Sequence, residues 1–159
     1  MKKFINKLKE ISINIYDGIG AYDETSLQTA IGIEFRENKI KFLREFNIEV
    51  FYKNYPLTLN ELDFLIYPNK DFDLNEPIIL ETKLLTKLDD SSRQQLKNYL
   101  KSAPFNSYED LKRINKGILL NFKKIEKYSD GINIKPDNNE KTTLEIWQIK
   151  DGEFLQIKN

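Results

Sequence analysis

The chain has 159 residues, with 25 lysines and arginines set against 25 aspartates and glutamates, and it contains no cysteine and no histidine. Those absences exclude disulfides, thiolate nucleophiles, cysteine-ligated zinc and iron–sulfur sites, histidine–zinc hydrolases and Ser-His-Asp triads, so any hydrolytic chemistry must rest on carboxylates, lysine and hard cations. The balanced charge supplies no global field toward nucleic acid, and a domain of this length buries enough surface to fold without metal or disulfide staples.

Phe4, Leu8, Ile11 and Ile15 recur at helical spacing and predict a short amphipathic helix that ends before Asp17-Gly18-Ile19-Gly20. Charge interrupts these first residues every few positions, unlike a secretory signal, and no stretch is long enough to span a membrane. The expectation is a soluble cytoplasmic protein. A second helix is predicted over residues 23–38, with Leu27, Ala30, Ile31 and Phe35 on one stripe and Glu24 on the same side, pointing toward the core or a sheet edge. From Ile40 to Tyr52 the pattern alternates and reads as one or two strands, residues 58–67 make the next, and residues 78–83 the third after a polar connection.

Asp89 or Asp90 can cap a helix running through Lys101, whose stripe carries Leu88, Ser92, Gln95 and Tyr99. A loop with Pro104, a short helical piece around residues 108–114 and a buried-type strand over residues 117–122 follow. Residues 125–142 read as a mobile polar loop, and Lys150-Asp151-Gly152-Glu153 carries an aspartate–glycine hairpin signal between Thr143–Ile149 and Phe154–Ile157. There is no internal repeat, and the loops are too short for a domain boundary, so residues 1–159 are expected to form one domain.

Chemistry concentrates where charge interrupts apolar runs. Ile78-Ile79-Leu80-Glu81-Thr82-Lys83 puts Glu81 and Lys83 on one face of a strand that should be buried, and Leu62-Asp63-Phe64-Leu65-Ile66 holds a lone acid. Buried charge is costly unless a metal or substrate shares the field, and two carboxylates with a lysine on neighbouring strands suit magnesium-dependent cleavage of phosphodiesters. On spacing alone a cross-strand ion pair at a sheet edge is the plainer reading. Likewise, Glu24 can serve the helix dipole, Gln95 and Tyr99 can be a half-buried polar pair, and Lys87, Arg93, Lys97 and Lys101 can be a solvated helix face flanking the site.

The ordered set Gly20-Ala21-Tyr22-Asp23-Glu24, Phe51-Tyr52-Lys53-Asn54, Leu62-Asp63-Phe64-Leu65-Ile66, Ile79-Leu80-Glu81-Thr82-Lys83, Gln95-Leu96-Lys97-Asn98-Tyr99-Leu100 and Lys116-Gly117-Ile118-Leu119-Leu120-Asn121-Phe122 resembles the GxxExxY proteins of the PD-(D/E)XK nuclease superfamily, over roughly residues 17–123. The resemblance implies an α/β, restriction-endonuclease-like αβββαβ core, here with an N-terminal helix and a C-terminal β-hairpin over residues 143–158. It implies a metal-dependent nuclease with Asp63 and Glu81 as Mg²⁺ ligands, Mn²⁺ as substitute, and the carbonyl of Thr82 and Glu24 as further metal candidates. Lys83 would act on the attacking water, Gln95 would join it in catalysis, and Tyr99, Lys97 and Lys101 would bind the substrate, expected to be DNA. The chain departs from the family pattern at Leu27, where tyrosine is usual, at Asn54, where glycine is usual, and in a glycine turn one residue longer. The rival reading is a non-catalytic nucleic-acid-binding or protein-interaction module retaining the fold, including one whose terminal hairpin pairs with a second copy as a homodimer.

Overall fold

The computed structural model describes residues 1–124 and 138–158. Helices α1 (Lys2–Ile19) and α2 (Glu24–Glu37) precede strands β1 (Phe42–Tyr52), β2 (Tyr55–Ile66) and β3 (Ile78–Leu85). Helix α3 (Asp90–Ser102) then leads through a short turn of 3-10 helix, Ala103–Phe105, and helix α4 (Glu109–Lys112) to strand β4 (Lys116–Lys123). Helix α5 (Asn138–Lys141) and strands β5 (Thr142–Lys150) and β6 (Glu153–Ile157) complete the described elements. The strands form one sheet in the order β1-β2-β3-β4-β5-β6, antiparallel except for the parallel β3–β4 pair. A parallel pair needs a crossover, which α3 supplies, so α2-β1-β2-β3-α3-β4 is the αβββαβ order of a restriction-endonuclease-like fold.

Alternation along the strands sorts side chains into two apolar layers. Phe64, Leu80, Ile118 and Phe122 meet Phe4, Leu8, Leu27 and Phe35 of α1 and α2. Leu65, Ile79 and Leu119 meet Leu96, Tyr99 and Leu100 of α3 on the other face. Covered on both faces, β3 is buried from Ile78 through Thr82, which is why its sequence is a continuous apolar run rather than an alternating one. Leu27 is fully buried and serves the core.

Several boundaries differ from the sequence expectation. Helix α1 continues through Asp17 and Gly18 to Ile19 and stops at Gly20, whose φ of 67° a side chain would resist. Strand β2 begins at Tyr55 rather than residue 58, after a tight turn in which Lys53 and Asn54 have φ of 47° and 67°, so asparagine replaces the usual glycine in a left-handed conformation it tolerates. Pro56 is accepted inside β2 because β3 pairs only with Phe64, Leu65 and Ile66, leaving that half of β2 without a partner on its β3 side among the described residues. Most of the predicted 125–142 loop lies outside the described residues, but its end is helix α5, where Lys141 donates to Asp17 Oδ1 at 2.6 Å. The Asp151-Gly152 turn joins β5 to β6 as expected, with φ of 52° and 79°. Among the described residues no helix is long and apolar enough to cross a membrane.

The exposed backbone of β1 is closed by the end of α3. Asn106 accepts from Glu49 N–H at 2.9 Å and donates Nδ2 to the Glu49 and Ser102 carbonyls at 3.0 Å, while Ser102 Oγ accepts from Phe51 N–H at 2.9 Å. These bonds replace a neighbouring strand at the sheet edge. Asn106→Ala would leave buried backbone groups unpaired and should cost about 2–3 kcal/mol of stability, measurable by urea denaturation. An unchanged midpoint would show that water replaces the clamp.

Candidate metal and phosphodiester site

The β2–β3 ladder runs from Ile66–Ile78 to Phe64–Leu80 and goes no further. Beyond it, carboxylates take the backbone donors that strand pairing would have used. Asp63 N–H donates to Glu81 Oε1 at 3.2 Å, and Thr82 donates its N–H and its hydroxyl to Asp63 Oδ2 at 2.6 and 2.8 Å. Across the sheet, Glu45 lies opposite Asp63 without pairing, between the Arg44–Phe64 and Phe46–Leu62 pairs, and its φ is 51°. A non-glycine residue in that region within a strand is strained, which marks a local break in β1 beside the acid.

Lys83 lies two residues along β3, its Nζ 4.0 Å from Glu81 Oε2. Glu81 is 1% exposed, and burial first, then the Asp63 charge, push its carboxyl up to about 8, with Lys83 pulling the other way. The first turn of α2 brings in Glu24, because Asp23 caps that helix through Ser26 N–H at 2.8 Å. Half-buried Glu24 has its carboxyl raised by burial first and by Asp63, while Lys83 and, least, the nearby Leu84 backbone lower it. From the opposite face, α3 presents Tyr99, whose hydroxyl accepts from Gln95 Nε2 at 2.8 Å and lies near the Asn60 side chain. Burial raises the Tyr99 hydroxyl, with the charges of Glu81 and Asp63 adding to it.

Asp63, Glu81, Thr82, Lys83, Glu24 and Tyr99 therefore meet at one end of the β2–β3 pair, and Gln95 reaches them through Tyr99. Two other residues were not singled out by spacing. Gln28, one helical turn after Glu24, donates to Thr82 Oγ1 at 3.0 Å and so steadies the hydroxyl that holds Asp63. The i, i+4 spacing from Glu24 was the signal for it. Asn60, three residues before Asp63 on β2, carried no such signal, because only the approach of α3 gives it a role. Of the flanking basic residues, Arg93 is engaged elsewhere: it grips Glu145 of β5 through Nε and Nη2 at 2.9 and 2.7 Å, and Asp90 through Nη1 at 2.8 Å. Lys97 borders a shallow depression with Trp147 and Phe154, and Lys101 lies beyond Tyr99 in the last turn of α3. Asp89, not Asp90, caps α3 through Ser92 N–H at 2.8 Å.

The donor set fits a hard divalent cation of the magnesium type. Among the described residues no three or more acids, histidines or cysteines converge as a ready-made cage. Mg²⁺ does not require one, since it is commonly held by one or two carboxylates and retains water. Each acid commits one oxygen to a backbone N–H, and the other, Asp63 Oδ1 or Glu81 Oε2, bonds no donor among the described residues within hydrogen-bond range. Where Glu81 is ionised, that buried carboxylate and the partly exposed Asp63 face one lysine and leave negative charge that a cation would offset.

Glu81 keeps its proton in the fold up to about pH 8, whereas the unfolded chain loses it near 4.5. Ionised Glu81 therefore opposes folding without metal, and its penalty grows as pH rises from about 4.5 to about 8, then levels off. In urea titrations with chelator, Glu81→Gln should match wild type at pH 4.5 and exceed it by more than about 1 kcal/mol at pH 8. A difference that does not change with pH would refute this ionisation.

A sequence model described as the PD-(D/E)XK nuclease superfamily matches residues 2–133. No curated protein and no solved structure matches the chain.

Proposed function

Because the chain belongs to the PD-(D/E)XK nuclease superfamily, we propose that it is a Mg²⁺-dependent deoxyribonuclease, a member of the GxxExxY group, with Asp63 and Glu81 as the metal ligands. The observation that carries this reading is Glu81 itself, a carboxylate 1% exposed that faces a second acid, with Lys83 at 4.0 Å. Such an arrangement is costly as a structural device and useful as a cation site.

Mg²⁺ bound there would polarise a phosphodiester and stabilise the leaving oxygen, with the Thr82 carbonyl and Glu24 as additional ligands. Around it the chain's own residues divide the remaining work. Lys83 places a positive charge where negative charge develops on the phosphate and can orient or deprotonate the attacking water. Thr82 and Gln28 hold Asp63 in one rotamer, which fixes the oxygen it presents. Gln95 and Tyr99 offer polar groups from α3 to the substrate backbone, and Lys97 and Lys101 extend the positive face along that helix. Mn²⁺ should substitute for Mg²⁺, since both accept oxygen ligands.

A non-catalytic binding module is the second reading, and one observation favours it: both acids already bond backbone N–H groups and so serve as a strand clamp. Metal titration separates the two. Calorimetry should detect Mn²⁺ binding to wild type and none to Glu81→Gln, with cleavage of DNA lost in the same variant. Unchanged Mn²⁺ binding in Glu81→Gln would remove Glu81 from the ligand set.

Lys83→Ala provides a second test. Its cleavage rate should fall by roughly 10²–10⁴-fold while DNA affinity changes much less, as expected of a group acting mainly in the transition state. Equal losses in affinity and rate would make Lys83 an ordinary phosphate contact.

A further inference from the structure

Past Asn60, the outer halves of β1 and β2 leave the sheet as a two-stranded arm. All of β2 from Tyr55 to Leu59 is exposed, and Tyr52, Tyr55, Leu57 and Leu59 are 58–73% accessible. Between this arm and the Asp151-Gly152 turn lies an open groove of about 420 Å³, floored by the end of α3 and the 3-10 turn after it. The volume is that of a small-ligand site. Phe51, Lys53, Asn54, Lys101, Phe105 and Gly152 contribute to its walls, and among the described residues no carboxylate lines it. Phe105 is 54% exposed, with its ring 5.7 Å from the Phe51 ring and tilted 39° to it, and it lines the groove together with two lysines.

A groove with an exposed ring and two lysines on its walls, one of them with its ammonium 5.3 Å from the neighbouring Tyr52 ring centroid, matches a ligand with flat apolar faces and a polyanionic backbone. The groove also continues the candidate site. Tyr99, near the Asp63 and Glu81 charges, shares the last turns of α3 with Leu100 and Lys101, which line the groove, and Asn60, close to Tyr99, begins the arm. Strand geometry puts Asn60 about 13 Å from Pro56 at the arm's end. That reach corresponds to a few nucleotides. A ring can stack on a base whose face is free, as in an unpaired nucleotide, whereas inside a duplex both faces of each base are covered by its neighbours.

We propose that this groove binds unpaired nucleotides of the strand whose phosphodiester is presented to Asp63 and Glu81, stacking a base on Phe105 and holding its phosphates with Lys53 and Lys101. The proposal rests on the nuclease reading for its orientation, but its binding chemistry can be measured separately. The substrate class is then single-stranded nucleic acid, or a duplex with a single-stranded end.

Fluorescence anisotropy with a short labelled single-stranded DNA, and with the blunt duplex of the same sequence, tests this in chelator, where no metal-dependent cleavage occurs. Wild type should prefer the single strand. Phe105→Ala should weaken single-strand binding roughly tenfold and leave duplex binding nearly unchanged. Lys53→Glu with Lys101→Glu should weaken both and flatten the salt dependence. Phe105 is half exposed and the lysines are on the surface, so melting temperatures should stay close to wild type and confirm that each variant folds. Equal affinity for the two DNAs, or full single-strand affinity in Phe105→Ala, would overturn the groove. So would a concentration-dependent dimer that Phe105→Ala dissolves and the oligonucleotide leaves intact, since a second copy would then occupy the surface. Cleavage in Mg²⁺ by wild type and Glu81→Gln tests the nuclease reading independently: no cleavage with groove binding intact sinks that reading alone, and cleavage without any effect of Phe105→Ala on affinity sinks the groove alone.

Discussion

Strands β2 and β3 stop pairing after Phe64–Leu80, and the site depends on that early divergence. In a continuous ladder the N–H groups past this point would be satisfied by carbonyls, and the acids beside them would be driven out or removed. Here the ladder is replaced by side chains: Glu81 takes Asp63 N–H, and Asp63 takes the N–H and hydroxyl of Thr82. Hydrogen bonds to the carboxylates lower the cost of setting Asp63 beside buried Glu81, although burial still dominates at Glu81. The same bonds limit the freedom of both carboxylates, which is what a precise ligand geometry needs.

The helices on either face are held to the sheet by polar contacts that set their angle and register, while apolar packing supplies the bulk of the attraction. On the α3 side, Arg93 bridges to Glu145, whose carboxyl it holds below its ordinary range, and Trp147 Nε1 adds a bond at 3.0 Å. A bidentate pair of this kind is directional as well as charged. With Asn106 and Ser102 gripping β1 at the far end, α3 is fixed at both ends and Tyr99 is set between them. On the α1 and α2 side, the Asp23 cap places Glu24 in the first turn, and Gln28 joins that helix to Thr82. Asn121 performs a comparable task at the end of β3, accepting from Leu85 N–H and donating to its carbonyl, both at 2.9 Å.

Electrostatically the molecule is neutral in total and uneven in detail. Acids collect at the splayed strands, while Lys53 of the arm and Lys101 of α3 sit apart around one groove with the exposed Phe105. This separation accords with a polymer that contacts protein at several points: one phosphodiester at the acids and its neighbours along a basic, aromatic surface. A uniformly basic protein would gain affinity without this local discrimination.

Much of this was legible in the chain by itself. The apolar runs that contain Asp63, Glu81 and Lys83 identify strands that must be buried, because only burial explains such composition, and alternation puts Glu81 and Lys83 on one face regardless of tertiary detail. Helix periodicity is equally local, as are the Asp151-Gly152 turn and the cap of α3, which the sequence narrowed to Asp89 or Asp90; the Asp23 cap was not anticipated. Tertiary structure alone decided which donors the acids would meet, because the end of the β2–β3 ladder depends on the twist and spacing of strands far apart in sequence. It decided the length of β2, since Pro56 argues against a strand until the absence of a β3 neighbour at that height is known. Arg93 looked like a free basic residue until β5 brought Glu145 against it, and Asn60, Gln28 and Phe105 acquired meaning only from what packs beside them. Periodicity is a property of consecutive residues, whereas a hydrogen-bond partner or an open ring face is a property of residues that only folding makes neighbours.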